Sequence, residues 1–251
     1  MPIVDLGRVV GKDGAPGKDG MSARNLLDNS DFRSPVNQRG ASGKISTAGY
    51  FLDRWKLVDG SATIGNDGIT LDGTIAQIIE KTPTGSVTPC ANAGKAEFDA
   101  NTNTFSLSGT GVVVTWAALY ECEYAAETLP TYVPKGYLAE LAACQRYFVR
   151  IGGNVYTHIG LASAQNGTQL ILSVTVPQAM REDVTPTLAK GGAGNMTAKS
   201  GTVFRNISAI AVNQRGVSVH ALTLTTSNAT PGYTYDVYVP IGSWLDISAD
   251  L

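Results

Sequence analysis

Charge is what this chain has least of. Asp, Glu, Lys and Arg make up 16% of its 251 residues, hydrophobic residues make up 43%, and the net charge is −2. No run of Lys and Arg forms a basic patch, so a nucleic-acid partner would lack its main driving force, the neutralisation of phosphates. Histidine is nearly absent: His158 and His220 stand far from any Cys or carboxylate at a recognised metal spacing. The three cysteines, at 90, 122 and 144, are odd in number and widely spaced. They fit neither a disulfide framework nor a zinc set, and are expected to be free thiols, mostly buried. No HExxH, GxSxG, phosphate-loop or dinucleotide signature occurs. The scattered carboxylates (Asp53, Glu80, Glu97, Glu121, Glu123, Glu127, Asp183, Asp236) do not single out the paired arrangement that glycoside hydrolysis needs. The expectation is therefore a non-enzyme without metal or cofactor. The most apolar stretch, GVVVTWAALY (111–120), is far short of the ~20 residues that cross a bilayer. The opening MPIVDLGRVV is too short and too charged for a secretory signal. Neither membrane insertion nor secretion is expected, and the chain is read as made in the cytoplasm and either staying there or leaving inside an assembly released by lysis.

What is present is glycine, hydroxyl and amide residues between short apolar runs. Residues 11–20 read GKDGAPGKDG, with Gly11, Gly14, Gly17 and Gly20 at every third position. That spacing is what a collagen triple helix demands, because only glycine fits at the shared axis. Three triplets are too few to hold three chains together, so the stretch reads as a short stalk within an N-terminal attachment segment, 1–24. A flexible linker remains the plainer alternative.

From residue 25 onward the patterning is β. The segment 69–79, ITLDGTIAQII, reads as a hairpin or two strands around Asp-Gly. The segment 105–119, FSLSGTGVVVTWAAL, reads as strand, Gly-rich turn and strand, with Val112, Val114 and Trp116 on one face. Later, LILSVTV (170–176), YTYDVYV (233–239) and LDISADL (245–251) alternate with period two, the mark of antiparallel strands with one covered face. One helix is expected over 137–148, YLAELAACQRYF, with Leu138, Leu141, Gln145 and Phe148 at helical spacing. The fold class is therefore all-β: two antiparallel β-sandwich (jelly-roll-like) domains, 25–136 and 149–251, joined by that short helix, with a single elongated β domain as the alternative.

Aromatic residues are the candidate binding groups, since they stack on sugar rings and anchor interfaces. Trp116 and Trp55 read as core, the latter with charged neighbours Asp53 and Arg54. Trp244 follows a Gly-Ser turn and is expected to be partly exposed. Alternation puts Tyr238 opposite Tyr233 and Tyr235, so one side of that strand should carry an aromatic outside its core. Tyr156, Tyr238 and Trp244 are the candidate ligand-binding residues.

The order of segments resembles a β-sandwich module of tail fibre, receptor-binding and minor tail proteins of bacteriophages and prophages. NLLDNSDF (25–32), NQRG (37–40), Tyr50 and DRW (53–55) carry the opening, and Asn25, Phe32, Asp53, Arg54 and Trp55 are its marks. The closing region is similar to 116–148, with Cys144, Gln145, Arg146 and Tyr147 its most specific part. VPQAMREDVTPTL (176–188) and ISADL (247–251) resemble parts of a fibre-tip domain. The resemblance implies a homotrimer in the virion, attached to other phage tail or baseplate proteins, that recognises a bacterial cell-surface polysaccharide. The alternatives it leaves are a structural tail component and a glycan-degrading enzyme. The nine marks are architectural, and no catalytic set comes with them.

Overall fold

A computed structural model describes residues 24–153, 155–181, 185–190, 196–214 and 219–250. The glycines of the expected stalk, Gly11, Gly14, Gly17 and Gly20, lie outside the described residues. The protein is mostly β, and every pairing between its named strands is antiparallel.

The strands before residue 121 are β1 (Gly43–Ile45), β2 (Gly49–Leu52), β3 (Trp55–Gly65), β4 (Gly68–Ile78), β5 (Thr88–Ala91), β6 (Lys95–Asp99), β7 (Thr104–Val114) and β8 (Ala117–Tyr120). They form a sheet in the order β1-β3-β4-β7-β6, with β2 also on β3, and a separate β5-β8 pair. Leu57, Ala62, Ile69, Leu71, Ile75, Phe105 and Leu107 of this sheet are buried together with Leu27, Phe32 and Trp55. Trp55 sits at the centre, edge-on to Phe32 at 5.1 Å and to Phe105 at 5.9 Å, an arrangement that aromatic quadrupoles favour.

Two expected turns are not turns. Asp72-Gly73 lies inside the 11-residue strand β4, and the reversal comes earlier, where Asn66 and Asp67 join Gly65 of β3 to Gly68 of β4. Gly73 faces Gly60 on β3 and Gly109 on β7. A Cβ on Gly73 would stand 2.3 Å from the Asp59 carbonyl oxygen, and one on Gly60 2.2 Å from that of Asp72. Glycine here admits close backbone approach next to a bulge at Leu71/Asp72, so the dipeptide bends the sheet instead of reversing the chain. Likewise β7 runs unbroken through Gly109 and Gly111, and the break falls at Thr115–Trp116. Trp116 is half-buried, not core, and stacks on Tyr132 at 4.9 Å.

The helix α1 spans Tyr137–Cys144, shorter than the expected 137–148, and Gln145 is its C-cap. Phe148 already pairs with Ser248 as the first residue of a strand, so tertiary pairing ends the helix. Its buried side is the expected one only in part. Cys144, on the apolar side of the sequence pattern, is buried, but Leu138 is 78% exposed and Glu140 is buried instead.

The later strands are β9 (Phe148–Gly153), β10 (Thr157–Ala164), β11 (Gln169–Thr175), β12 (Thr185–Lys190), β13 (Thr197–Ser200), β14 (Val203–Asn206), β15 (Ala209–Gln214), β16 (Val219–Thr225), β17 (Thr234–Val239) and β18 (Ser243–Ser248). They form a seven-stranded sheet, β14-β13-β17-β10-β11-β16-β15, and a three-stranded sheet, β12-β18-β9. Period-two alternation is realised here. Leu170, Leu172, Val174 and Val176, then Tyr235, Val237 and Val239, then Leu245, Ile247 and Ala249 all enter one core. Tyr233, expected on the face of Tyr235, precedes β17 and is 59% exposed. All three cysteines are free, but only Cys144 is buried: Cys90 is half-buried and Cys122 exposed.

Candidate functional site

The nine architectural marks, far apart in sequence, gather where the segment 25–55 meets α1 and β9. Asn25 stitches the chain to β8: its amide oxygen accepts from the backbone N–H of Leu27 and of Leu119, both at 3.0 Å. Asn29, in a left-handed conformation at φ 54°, donates to the carbonyls of Val36 and Asp53 at 2.8 Å, and its own carbonyl accepts from Trp55 Nε1 at 2.8 Å. Its backbone N–H donates to Glu140 Oε2 at 2.6 Å, which is why a carboxylate occupies the inner side of the helix. Burial pushes the Glu140 carboxyl up, and the Asn29 N–H opposes it.

Arginines fill the seam between the earlier and later strands. Arg54 lies 3.6 Å from the centre of the Tyr147 ring and donates to the Ile78 carbonyl at 2.6 Å. Tyr147 Oη donates to Glu80 at 2.7 Å, and Arg146 pairs with the same carboxylate at 2.8 Å. Partial burial raises the Glu80 pKa, but the Tyr147 hydroxyl, Arg146 and Arg181 together hold it below the usual glutamate value. Arg39 stacks on Phe148 at 3.9 Å and pairs with Asp250, while its Nε faces the fully buried Asp53 at 3.7 Å. Arg150 makes a two-pronged pair with Asp246, 2.7 Å on each oxygen, and donates to the Arg39 carbonyl. Burial lifts the Asp53 carboxyl to about 6 against the opposing Gln38 N–H and Arg39, and Asp250 adds to the lift. Burial likewise drives the Cys144 thiol upward, with Asp53, Asp28 and Glu140 adding to it. This thiol is packing, not a nucleophile. The marks therefore build a joint. Trp244 belongs beside it: it lies in β18, half-buried, with the Arg150 guanidinium 4.4 Å from its ring.

Tyr156 and Tyr238 meet elsewhere, on the outer face of the seven-stranded sheet. Register sets the arrangement. Thr197 of β13 stands opposite Tyr238 of β17, which stands opposite His158 of β10. The next outward row is Phe204, Lys199, Asp236 and Leu161. The Tyr156 and Tyr238 rings are 5.1 Å apart, the His158 and Tyr238 rings 5.0 Å, and Tyr156 Oη shares a 2.9 Å hydrogen bond with Thr197 Oγ1. His158 Nε2 lies 3.2 Å from Asp236 Oδ1, and Lys199 Nζ lies 5.2 Å from the centre of the Phe204 ring. Tyr156 is 47%, Phe204 56% and Leu161 59% exposed. Aromatic rings, amphipathic in character, lie on this outer face among hydrogen-bonding groups, Tyr156 and Phe204 exposed and Tyr238 half-buried between Tyr156 and His158, which suits them to binding. Tyr156 and Tyr238 were legible from alternation and composition. The participation of Thr197, Lys199 and Phe204 was not, because it depends on β13 and β14 joining the edge of β17.

A concave feature lies apart from this face, over the glycine crossing of the earlier sheet. It is an open groove of about 610 Å3 floored by Gly60, Gly73 and Gly109 and edged by Asp59, Asp72 and Lys95. Among the described residues no group of three or more His, Cys, Asp or Glu side chains is placed to hold a metal ion, and no helix is long and apolar enough to cross a membrane.

Comparison with protein-family models, with curated proteins and with solved structures finds no match to this chain.

Proposed function

We propose that this chain is a tail fibre or receptor-binding protein of a bacteriophage or prophage, acting as a homotrimer that attaches the virion to a bacterial surface glycan. In this reading residues 1–24 form the attachment segment and collagen-like stalk, and 25–136 and 149–251 are two jelly-roll-like β-sandwich domains around the linking segment 137–148. The later domain is the tip. The observation that carries the binding assignment is the partly exposed cluster of Tyr156, Tyr238, His158 and Asp236 on an outer sheet face. Three such faces held rigidly by one trimer give avidity that a single weak site lacks. The joint supports the same reading, because a particle that docks through its tip needs the later domain fixed relative to the earlier one.

A structural tail or baseplate role is the second reading. It is favoured by the apolar members of the same face, Phe204 and Leu161, and by Val203, 49% exposed, beside it, which suit a protein partner equally well. Light scattering of the native protein together with adsorption to host cells separates the two. A trimer that blocks phage adsorption supports the adhesin, a trimer that neither binds cells nor competes supports the structural part, and a monomer removes both. Hydrolysis of host polysaccharide, abolished by one Asp or Glu substitution, would instead make the chain a glycan-degrading enzyme.

A further inference from the structure

The adhesin reading leaves the class of glycan open, and the face narrows it. We infer that the outer face of β14-β13-β17-β10 binds an internal stretch of an uncharged, linear polysaccharide laid across the strands. This rests on the adhesin reading and goes beyond it.

Three features of the face carry the inference. The first is its shape as a set of rows. Asn206, Thr197, Tyr238 and His158 are cross-strand neighbours in one line, and Phe204, Lys199, Asp236 and Leu161 in the next. Adjacent strands stand ~4.8 Å apart, so each row of four spans ~14 Å perpendicular to the strands. That length suits several sugar units in a line more than one terminal sugar. β14 is the edge of the sheet, so a chain lying along these rows runs off the sheet without meeting a further strand, as an internal stretch of polymer must.

The second is the chemistry along the rows. The exposed Tyr156 and the half-buried Tyr238 offer ring surface for the C–H side of a pyranose. Thr197, Asn206, His158 and Asp236 offer donors and acceptors for its hydroxyls. Such pairs recur from strand to strand, which matches a repeating ligand.

The third is charge. Lys199 and Asp236 stand directly opposite in register, so the one cation and the one carboxylate of these rows offset each other, and His158 already faces Asp236 at 3.2 Å. A polyanionic glycan would meet Asp236 with a single lysine to compensate. An uncharged polymer meets no such conflict.

The test is an array of bacterial polysaccharides, neutral and acidic, linear and branched, probed with the full-length assembled protein. The expected result is binding to neutral linear polymers, changed less than about threefold when salt is raised to about 1 M, where the Debye length falls to ~3 Å. Tyr238→Ala should weaken that binding at least tenfold while light scattering shows the same oligomer. Tyr156→Ala should act in the same direction; it precedes β10, so its loss leaves the ladder intact, and it serves if the first variant folds poorly. Binding confined to acidic polymers, with steep salt dependence, overturns the inference and leaves the adhesin reading standing. Unchanged binding by both variants moves the site elsewhere and overturns it. Dissociation of the oligomer by either variant makes the face a contact between copies and also overturns it. No binding to any polysaccharide removes the glycan from the adhesin reading as well.

Discussion

The earlier and later strands solve the same problem, burying one side of antiparallel sheets, with different materials. Before residue 121 the core is organised around one indole: Trp55 is fully buried, flanked edge-on by Phe32 and Phe105, and tied by its N–H to Asn29. After residue 148 the core is mostly aliphatic, made by period-two strands with Tyr235 among them, and several aromatics stand outside it: Tyr156, Tyr238 and Phe204. The recognisable residues are concentrated in the first region and at the seam. The candidate binding face is in the second and carries no motif. The contrast teaches that a motif built of Asn, Asp, Arg and Trp can mark a structural joint, while the candidate binding face is written only in which side of a strand an aromatic occupies.

Removing each central aromatic sharpens that comparison most. Trp55→Ala is expected to cost about 3–5 kcal/mol by cavity formation, with a further loss because the buried Asn29 carbonyl is left without its donor. Tyr238→Ala should change stability by less than about 1 kcal/mol, the range of partly exposed cross-strand pairs. Urea titration measures both. Equal losses would mean that Tyr238 belongs to a core and that the contrast is false.

The seam comes next. Arg39→Met keeps some of the packing on Phe148 but leaves Asp53, fully buried, without its cation. Stranding one partner of a buried pair costs about 3 kcal/mol. Asp53→Asn should cost less, because the Gln38 N–H keeps an acceptor where Asp53 Oδ2 now stands. If Arg39→Met is neutral in urea, the seam is not held by its charges.

The bend of the earlier sheet gives a smaller effect. Gly73→Ala places a Cβ 2.3 Å from the Asp59 carbonyl at a φ of 154°, so it should destabilise by more than about 1 kcal/mol. Gly85→Ala, where a Cβ meets nothing within 4 Å, is the control. Equal midpoints for the two would show that the glycine crossing is relaxed.

The last comparison is the acid response, in which the two regions should differ in sign. Asp53 titrates near 6 when folded, against an ordinary value of 3.8. Between about pH 6 and 4 the folded state takes up a proton that the unfolded chain does not, so this group favours folding as pH falls and loses that contribution as pH rises through 6. His220 is buried among the later strands and its pKa is lowered from 6.5 by that burial. The unfolded chain therefore binds the proton first, and this group's contribution is lost as pH falls below 6.5. Urea midpoints at pH 7, 6, 5 and 4 should fall more steeply in Asp53→Asn than in the parent, and less steeply in His220→Leu. Shifts of the same sign in both variants would end the comparison.

Local chemistry made the strands of the later region legible, because a strand covered on one side must alternate, and Leu170, Leu172 and Val174 do. The same rule placed Tyr238 outward and Tyr235 inward. It failed for Tyr233, which lies one residue before pairing begins and is not bound by alternation. Asp72-Gly73 was misread because a hairpin turn and a strand bend ask for the same glycine; only the presence of Gly60 and Gly109 on the flanking strands selects the bend. The helix face was partly misread because Leu138 and Leu141 have helical spacing, yet the partner that decides burial is the backbone N–H of Asn29, 111 residues from Glu140.

From the sequence by itself came the β class, the alternation of the later strands, the buried place of Trp55 and the outward place of Tyr238, since each follows from residue type and a period of two. Only the tertiary structure decided that Phe148 pairs with Ser248 and so ends the helix, that Arg39 bridges Asp53 and Asp250, and that Thr197, Lys199 and Phe204 complete the face around Tyr238. Those outcomes depend on which strands become neighbours. Strand order joins residues tens to hundreds of positions apart, and no local pattern carries it.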